Sequence, residues 1–307
     1  MEAPHNVIQT MPRVAEGRFR KGVRASARWA KQQPLGAIGA AWIVVTVGVA
    51  LLAPVLSPHD PLELLGAKYR SPGREVLLGT DHLGRDVLSR LIWGTRPSVF
   101  VGVFAVSFAV AVGGLWGIAA GYIGGAFDLL TQRLVDIMGA FPPLLTALAL
   151  MAVLGASSKN VVIALIFTFA PSVARVVRSA ALSVKTETYV EAARATGCSE
   201  TRILLRHVVP NCMALLIILF SIYVGSGIII AASLSFLGAG IPEAVPSWGG
   251  MLSKAVGAFL VTSPWLAIVP GAAISITVLA FNLLGDSLRD TLDPKLRGSQ
   301  QGSTTGR

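Results

Sequence analysis

Long stretches of this chain carry no charge. The intervals 35–56, 98–120, 138–156, 160–174, 212–238 and 264–285 contain no Asp, Glu, Lys, Arg or His. Transport driven by an ion gradient normally places ionisable groups near the bilayer centre, where each is costly, so proton or sodium coupling is disfavoured. A Gly-x-x-x-x-Gly-Lys-Ser/Thr loop is also missing, which excludes a phosphate cradle for ATP inside the chain. Histidine is sparse and scattered (His5, His59, His82, His207), with no His/Cys cluster at metal-ligand spacing and no nucleophile and base constellation. The two cysteines, Cys198 and Cys212, sit in a charged segment and at the edge of an apolar run, which argues against a structural disulfide. The expectation is a chain with no catalytic residues, no bound cofactor and no metal: a conduit whose work comes from a partner.

What is present is apolar surface beyond the needs of a soluble core. Hydrophobic residues make up 53% against 14% charged, and the mean hydropathy is +0.66, which indicates an all-α polytopic membrane protein. The uncharged intervals place six spans: Leu35 to Leu56, Ser98 to Ala120, Met138 to Ala156 with Pro142-Pro143 at its mouth, Asn160 to Leu182, Cys212 to Gly238 and Pro264 to Gly285. Each reaches the roughly 20 residues needed to cross a hydrocarbon core of about 30 Å. Seven cations (Arg13, Arg18, Arg20, Lys21, Arg24, Arg28, Lys31) crowd the tail before Pro34, the mark of an uncleaved first span with a cytoplasmic N-terminus. With both termini inside, 18 Lys and Arg fall on the inner side and 8 on the outer; six of those 8 lie in the first outer loop, where the count argues against the assignment.

The expected organisation is therefore a cytoplasmic tail (1–34), a first span (35–56), an extracytoplasmic loop (57–97), a five-span core (98–285) with a cytoplasmic hairpin at 186–211, and a cytoplasmic tail (286–307). In the outer loop Leu83, Val87, Leu88, Leu91 and Ile92 share a helical face, with Arg85, Asp86, Ser89 and Arg90 elsewhere, predicting an amphipathic helix in the outer interface. It either anchors the second span or serves gating or receptor docking. Gly113, Gly117, Gly121 and Gly125 recur every fourth residue and permit close helix approach, within the chain or against a partner permease. No internal repeat supplies a second half of a pathway.

The charged island Thr188 to Asn211 is the most informative segment. Thr188 and Glu191 have capping-box spacing, Ala192, Ala193 and Ala195 favour helix, and Gly197 offers a left-handed stop. Ser199 is placed to cap a second helix through Ile203-Leu204-Leu205, with Pro210 and Asn211 expected to break it. The pattern Glu191-Ala192-Ala193, three residues, Gly197, then twelve residues to Pro210 resembles the cytoplasmic loop of permease subunits of binding-protein-dependent ABC importers. His207-Val208-Val209-Pro210 is similar to the close of that motif in peptide and nickel permeases. The segments Leu78 to Arg90, Ala231 to Gly238, Pro246 to Gly249, Phe281 to Asp290 and Leu292 to Lys295 resemble the same subfamily, in the expected order, over roughly residues 35 to 298.

This resemblance, nearest to the C-type subunit of dipeptide and oligopeptide transporters, implies a type I ABC importer permease fold with six transmembrane helices. It also implies import of di- to oligopeptides, with nickel or another small solute as the alternative, across the cytoplasmic membrane of a bacterium. Its implied partners are a second permease subunit, two ATP-binding subunits that hold ATP and Mg, an extracytoplasmic solute-binding protein, and lipid. Glu191, Ala192, Ala193, Gly197, Arg202 and Pro210 become the residues that couple to the ATPase: Glu191 as cap and polar contact, Ala192 as a small residue permitting close approach, Gly197 as the turn. Two rival classes fare worse. A membrane-tethered helix-turn-helix DNA binder lacks the third helix and the freedom to reach a groove, and a membrane enzyme would need catalytic polar groups that the spans do not offer.

Overall fold

The computed structural model describes residues 29–255 and 263–292. The basic tail up to residue 28 and the Asp293-Pro294-Lys295 end of the last motif lie outside the described residues. Regular structure among the described residues is helical apart from one isolated bridge, Thr80 to Asp86. Five helices are long and apolar enough to cross a membrane, and a sixth crossing arises if one bent helix pair is a single span.

The first crossing, α1 (Pro34–Leu51), breaks at Leu52 before the single turn α2 (Ala53–Leu56). Its small residues face the last crossing. A Cβ on Gly39 would come within 2.5 Å of the Ala280 carbonyl oxygen, and the Trp42 indole Nε1 donates to Thr277 Oγ1 at 3.3 Å.

The second crossing is longer than the uncharged interval suggests. Helix α3 runs from Val87 to Ile123; its 37 residues span about 55 Å at 1.5 Å per residue. Asp86 caps it by accepting from Ser89 N at 2.9 Å. The separate amphipathic helix expected within 57–97 is thus not a separate element, because Val87 onwards is already the first turns of α3.

The third crossing departs most from expectation. Pro143 can begin a helix but cannot continue one, since it has no N–H, and it holds Pro142 extended (ψ 140°). The chain therefore folds as α4 (Gly125–Met138) and α5 (Pro143–Leu154), bent by 84°. The 12 residues of α5 cover only about 18 Å, short of a hydrocarbon core. Helix α4 carries Asp128 and Asp136, which pair with Arg178 and Arg175 of α6 (Ser158–Lys185). These arginines of α6 are held by carboxylates of the bent pair.

Helix α3 packs on α6 over the most extensive helix interface in the molecule. A Cβ on Gly113, Gly117 or Gly121 would lie 2.4, 2.4 or 2.8 Å from the carbonyl oxygens of Ala170, Ala174 and Arg178, so three of the four glycines serve packing inside the chain. Gly125 does not; it stands past the helix break with φ +58° and open space around it. Val106, Ala109, Val173, Ala174 and Val177 fill the seam between the two helices.

Candidate coupling site

The hairpin begins where α6 ends at Lys185. Helix α7 (Thr188–Ala195) starts one residue earlier than a Thr188 cap requires: Glu187 holds the cap position, no side chain caps it, and the expected Thr188–Glu191 box does not form. The stop is as expected. Gly197 adopts φ +80°, with Cys198 N donating to Ala193 O at 3.1 Å and Gly197 N to Arg194 O at 3.0 Å. These two bonds make a Schellman turn, which satisfies carbonyls that the helix end leaves open. Ser199 takes an extended cap conformation without a side-chain cap bond, and α8 (Glu200–Ile203) follows.

Pro210 does not break this second arm. Residues Leu204–Val208 form a π turn, with Val209 N donating five residues back to Leu204 O, and the chain runs straight on as α9 (Val209–Phe236). Widening one turn shifts the hydrogen-bond ladder so that the missing N–H of Pro210 no longer interrupts it. The arm and the fifth crossing are consequently one rod, Glu200 to Phe236, and a push on the hairpin acts directly on a span.

Val190, Ile203 and Val208 are fully buried and join the main core, rooting the hairpin in the bundle. The opposite face is open: Glu191, Ala192, Gly197, Arg202 and Pro210 are exposed and Ala193 is half-buried. Fold geometry thus gathers the six sequence-predicted residues on one short hairpin, four of them fully on its outer surface within residues 191–202. Sequence reasoning missed what ties this hairpin to α3. The Tyr122 hydroxyl donates to the Glu200 carboxylate and lies 3.0 Å from the Glu200 carbonyl oxygen. Arg194 Nε donates to Glu200 Oε1 at 3.0 Å across the turn, which holds the Arg194 guanidinium above its ordinary pKa. Lys185 Nζ donates to the Tyr122 carbonyl at 2.6 Å. A tyrosine at the end of a span is unremarkable in sequence, so no pattern pointed to it.

Residues 113–298 match the family described as binding-protein-dependent transport system inner membrane component. The chain belongs to this family. The glutathione transport system permease protein GsiD of Escherichia coli O1:K1 is 40% identical over 294 residues, 95% of this chain and 97% of the relative. That of Pectobacterium atrosepticum is 38% identical over 293 residues, again 95% and 97%. An inward-facing structure of the MetNI methionine ABC transporter superposes with a TM-score of 0.55 at 16% identity, covering 66% of this chain and 96% of that one, which bears on the fold alone. The protein is an ABC importer permease of the dipeptide, oligopeptide and glutathione type, with the type I permease fold, and a multi-pass inner membrane protein.

At the far end of α3 the permease holds a polar knot built from the Leu78 to Arg90 motif. Arg85, Asp86, Ser89 and Arg90 are all 5% exposed or less, as is Val87 of the apolar stripe, while Leu83 is 39% exposed, so the residues expected on the polar face are buried in the protein. The burial is sustained by pairing. Asp81 accepts from Leu83 N, Arg85 N and Arg85 Nε at 2.8, 3.0 and 2.7 Å, and Arg90 Nη1 and Nη2 donate to the carbonyls of Pro61 and Glu243 at 3.2 and 3.3 Å. Glu243, in the loop after α9, binds His82 Nε2 at 2.8 Å, Arg85 Nη2 at 3.2 Å and Lys254 Nζ at 3.3 Å. Burial raises the Glu243 pKa, but Lys254 and His82 outweigh it and leave it lowered. Since the folded pKa is depressed, this tie contributes stability above the ordinary carboxylate range and loses it as pH falls through the folded value. Trp248, at the start of α10 (Trp248–Ala255), closes the knot by donating from N to Ser98 Oγ at 3.0 Å and from Nε1 to Leu91 O at 3.1 Å.

Proposed function

We propose that this permease carries peptides, di- to oligopeptides, across the cytoplasmic membrane of a bacterium, with both termini and the hairpin in the cytoplasm. A second permease subunit completes the pathway, two ATP-binding subunits supply the work, and an extracytoplasmic solute-binding protein selects the cargo. The glutathione named for the GsiD relatives is a tripeptide and falls within this class. The observation that carries the reading is the hairpin itself: an exposed Glu191 and Ala192 on α7, and an exposed Arg202 on the arm continuous with the fifth crossing. A cleft on an ATPase that grips this surface displaces the fifth crossing directly through that arm.

Two experiments test this. For coupling, Glu191→Ala and Gly197→Asp are expected to cut uptake of labelled glutathione or dipeptide at least tenfold in the assembled transporter, and loaded receptor should no longer stimulate ATP hydrolysis. Gly197 has open space around its Cβ position, so Gly197→Asp strains only the left-handed turn, by about 1 kcal/mol; near-normal amounts of the chain should remain in the membrane. Full uptake in both variants would make the hairpin a mere connector, and uptake of nickel rather than peptide by the parent would overturn the cargo. For orientation, single cysteines at Ser26, Thr201 and Ser299, with Cys198 and Cys212 replaced, should be shielded from an impermeant thiol reagent in intact cells, while one at Ser71 should label. Labelling at Thr201 from outside would invert the topology.

A further inference from the structure

The hairpin touches the bundle at more than its own two spans. Helix α3 is not adjacent to it in sequence, yet Tyr122, one residue from the end of α3 and 8% exposed, reaches it through Glu200. Glu200 opens the rod that continues as α9, and through Arg194 it is joined to the other arm of the hairpin. Lys185, the last residue of α6, donates to the Tyr122 carbonyl, and its ammonium lies 5.5 Å from the centre of the Tyr122 ring. One phenol therefore meets three moving parts: the end of α3, the end of α6 and the start of the α8–α9 rod.

Helices α3 and α6 approach backbone to backbone at Gly113, Gly117 and Gly121, so they move as a single body. At its other end α3 enters the knot of Asp81, Arg85, Arg90 and Glu243. A displacement delivered at Tyr122 is carried by a stiff pair to the opposite face of the membrane protein. We propose that the Tyr122 hydroxyl, through Glu200, is a positioning joint that transmits hairpin movement to the α3–α6 pair, and that without it ATP hydrolysis and transport come apart. The proposal rests on the reading of the hairpin as the ATPase contact. Tyr122 itself is buried and does not belong to the surface assigned to that contact. Glu200 is 60% exposed at its side chain, so its ion pair with Arg194 adds little stability, and loss of the joint leaves the core intact.

The test uses the assembled transporter in proteoliposomes with loaded receptor. Tyr122→Phe removes one oxygen and keeps the ring. It is expected to retain co-purifying ATPase subunits and receptor-stimulated hydrolysis within about twofold of the parent, while peptide uptake per ATP hydrolysed falls at least fivefold. Glu200→Ala should do the same, whereas Glu200→Gln, whose amide oxygen still accepts from Tyr122, should restore the uptake-to-hydrolysis ratio to within twofold. An unchanged ratio in Tyr122→Phe overturns the joint, and so does equal loss of hydrolysis and uptake, which would indicate assembly or folding. Glu191→Ala separates the two readings. Normal hydrolysis and uptake there sinks the hairpin contact, whereas a dead Glu191→Ala beside a fully coupled Tyr122→Phe sinks the joint alone.

Discussion

Replacing Gly117 by Leu is expected to leave little well-packed permease in detergent. A Cβ at this position would lie 2.4 Å from the Ala174 carbonyl oxygen, 2.9 Å from Arg178 N and 3.0 Å from Val177 Cβ. Two of these are backbone atoms of α6, so no rotamer change relieves the contact; the helices must separate. Separation also loosens the flanking contacts at Gly113 and Gly121 and opens the seam filled by Val106, Ala109, Val173 and Val177. Overpacking costs about 1–3 kcal/mol when side chains can yield, and a clash with backbone across the largest interface belongs at or above the top of that range. The expected readout is loss of the monodisperse peak in size-exclusion chromatography and a clear drop in unfolding temperature. Gly271→Ala is the control, since nothing lies within 4 Å of its Cβ position, and it should behave as the parent does. A Gly117→Leu chain as stable as the parent would show that α3 and α6 do not approach this closely.

Asp81→Ala is expected to undo the knot at the far end of α3. Asp81 turns the loop by accepting from Leu83 N and Arg85 N, and it is the carboxylate nearest to Arg85 Nε, with Arg90 Nε at 3.5 Å. Removing it leaves two guanidinium groups on side chains 6% and 5% exposed: Arg85 with the Glu243 carboxylate, and Arg90 with the carbonyls of Pro61 and Glu243. Breaking a buried ion pair from one side costs about 3–5 kcal/mol, and because the Asp81 side chain is itself 14% exposed the lower figure applies, about 3 kcal/mol. Limited proteolysis should then cut between residues 62 and 80 in Asp81→Ala but not in the parent. Asp81→Asn keeps an oxygen for the two loop amides and loses only charge, so it should fall between the two. Equal protection in all three chains would mean that the loop is held by something other than this pairing.

The coupling hairpin and the knot differ in how much of each could be read from the residues. Gly197 announced its turn because the left-handed region penalises every residue with a Cβ, and the local pattern around it closed as a Schellman motif. The cap expected at Thr188 fell one residue off, with Glu187 in the cap position, whereas Ser199 holds its expected cap position but its hydroxyl makes no cap bond. Pro210 was misread for a physical reason as well: a proline stops an α-helix only if the ladder around it stays in α register, and one π turn removed that condition. The Leu83 to Ile92 stripe reads as an interfacial helix with an open polar face, but periodicity marks two faces without saying whether one or both are buried, and Val87, Arg85, Asp86 and Arg90 all are. Arg85 and Arg90 could go inside because the nearby Asp81 is joined by the Pro61 carbonyl and by Glu243, both distant in sequence, which arrive there to pair with them.

By itself the sequence determined that this is an all-helical polytopic membrane protein with no ionisable groups inside its apolar intervals, because the solvation cost of charge and backbone in hydrocarbon is written residue by residue along the chain; the permease reading came from the resemblance of its motifs. It also determined where the charged hairpin interrupts the bundle, since turns and charge runs are local. Only the tertiary structure decided that the glycine stripe serves α6 rather than a partner, that α3 reaches into the loop-end knot, and that Tyr122 meets Glu200. Each of these depends on pairs far apart in the chain, 78 residues in the case of Tyr122 and Glu200, and such contacts exist only once the helices have packed.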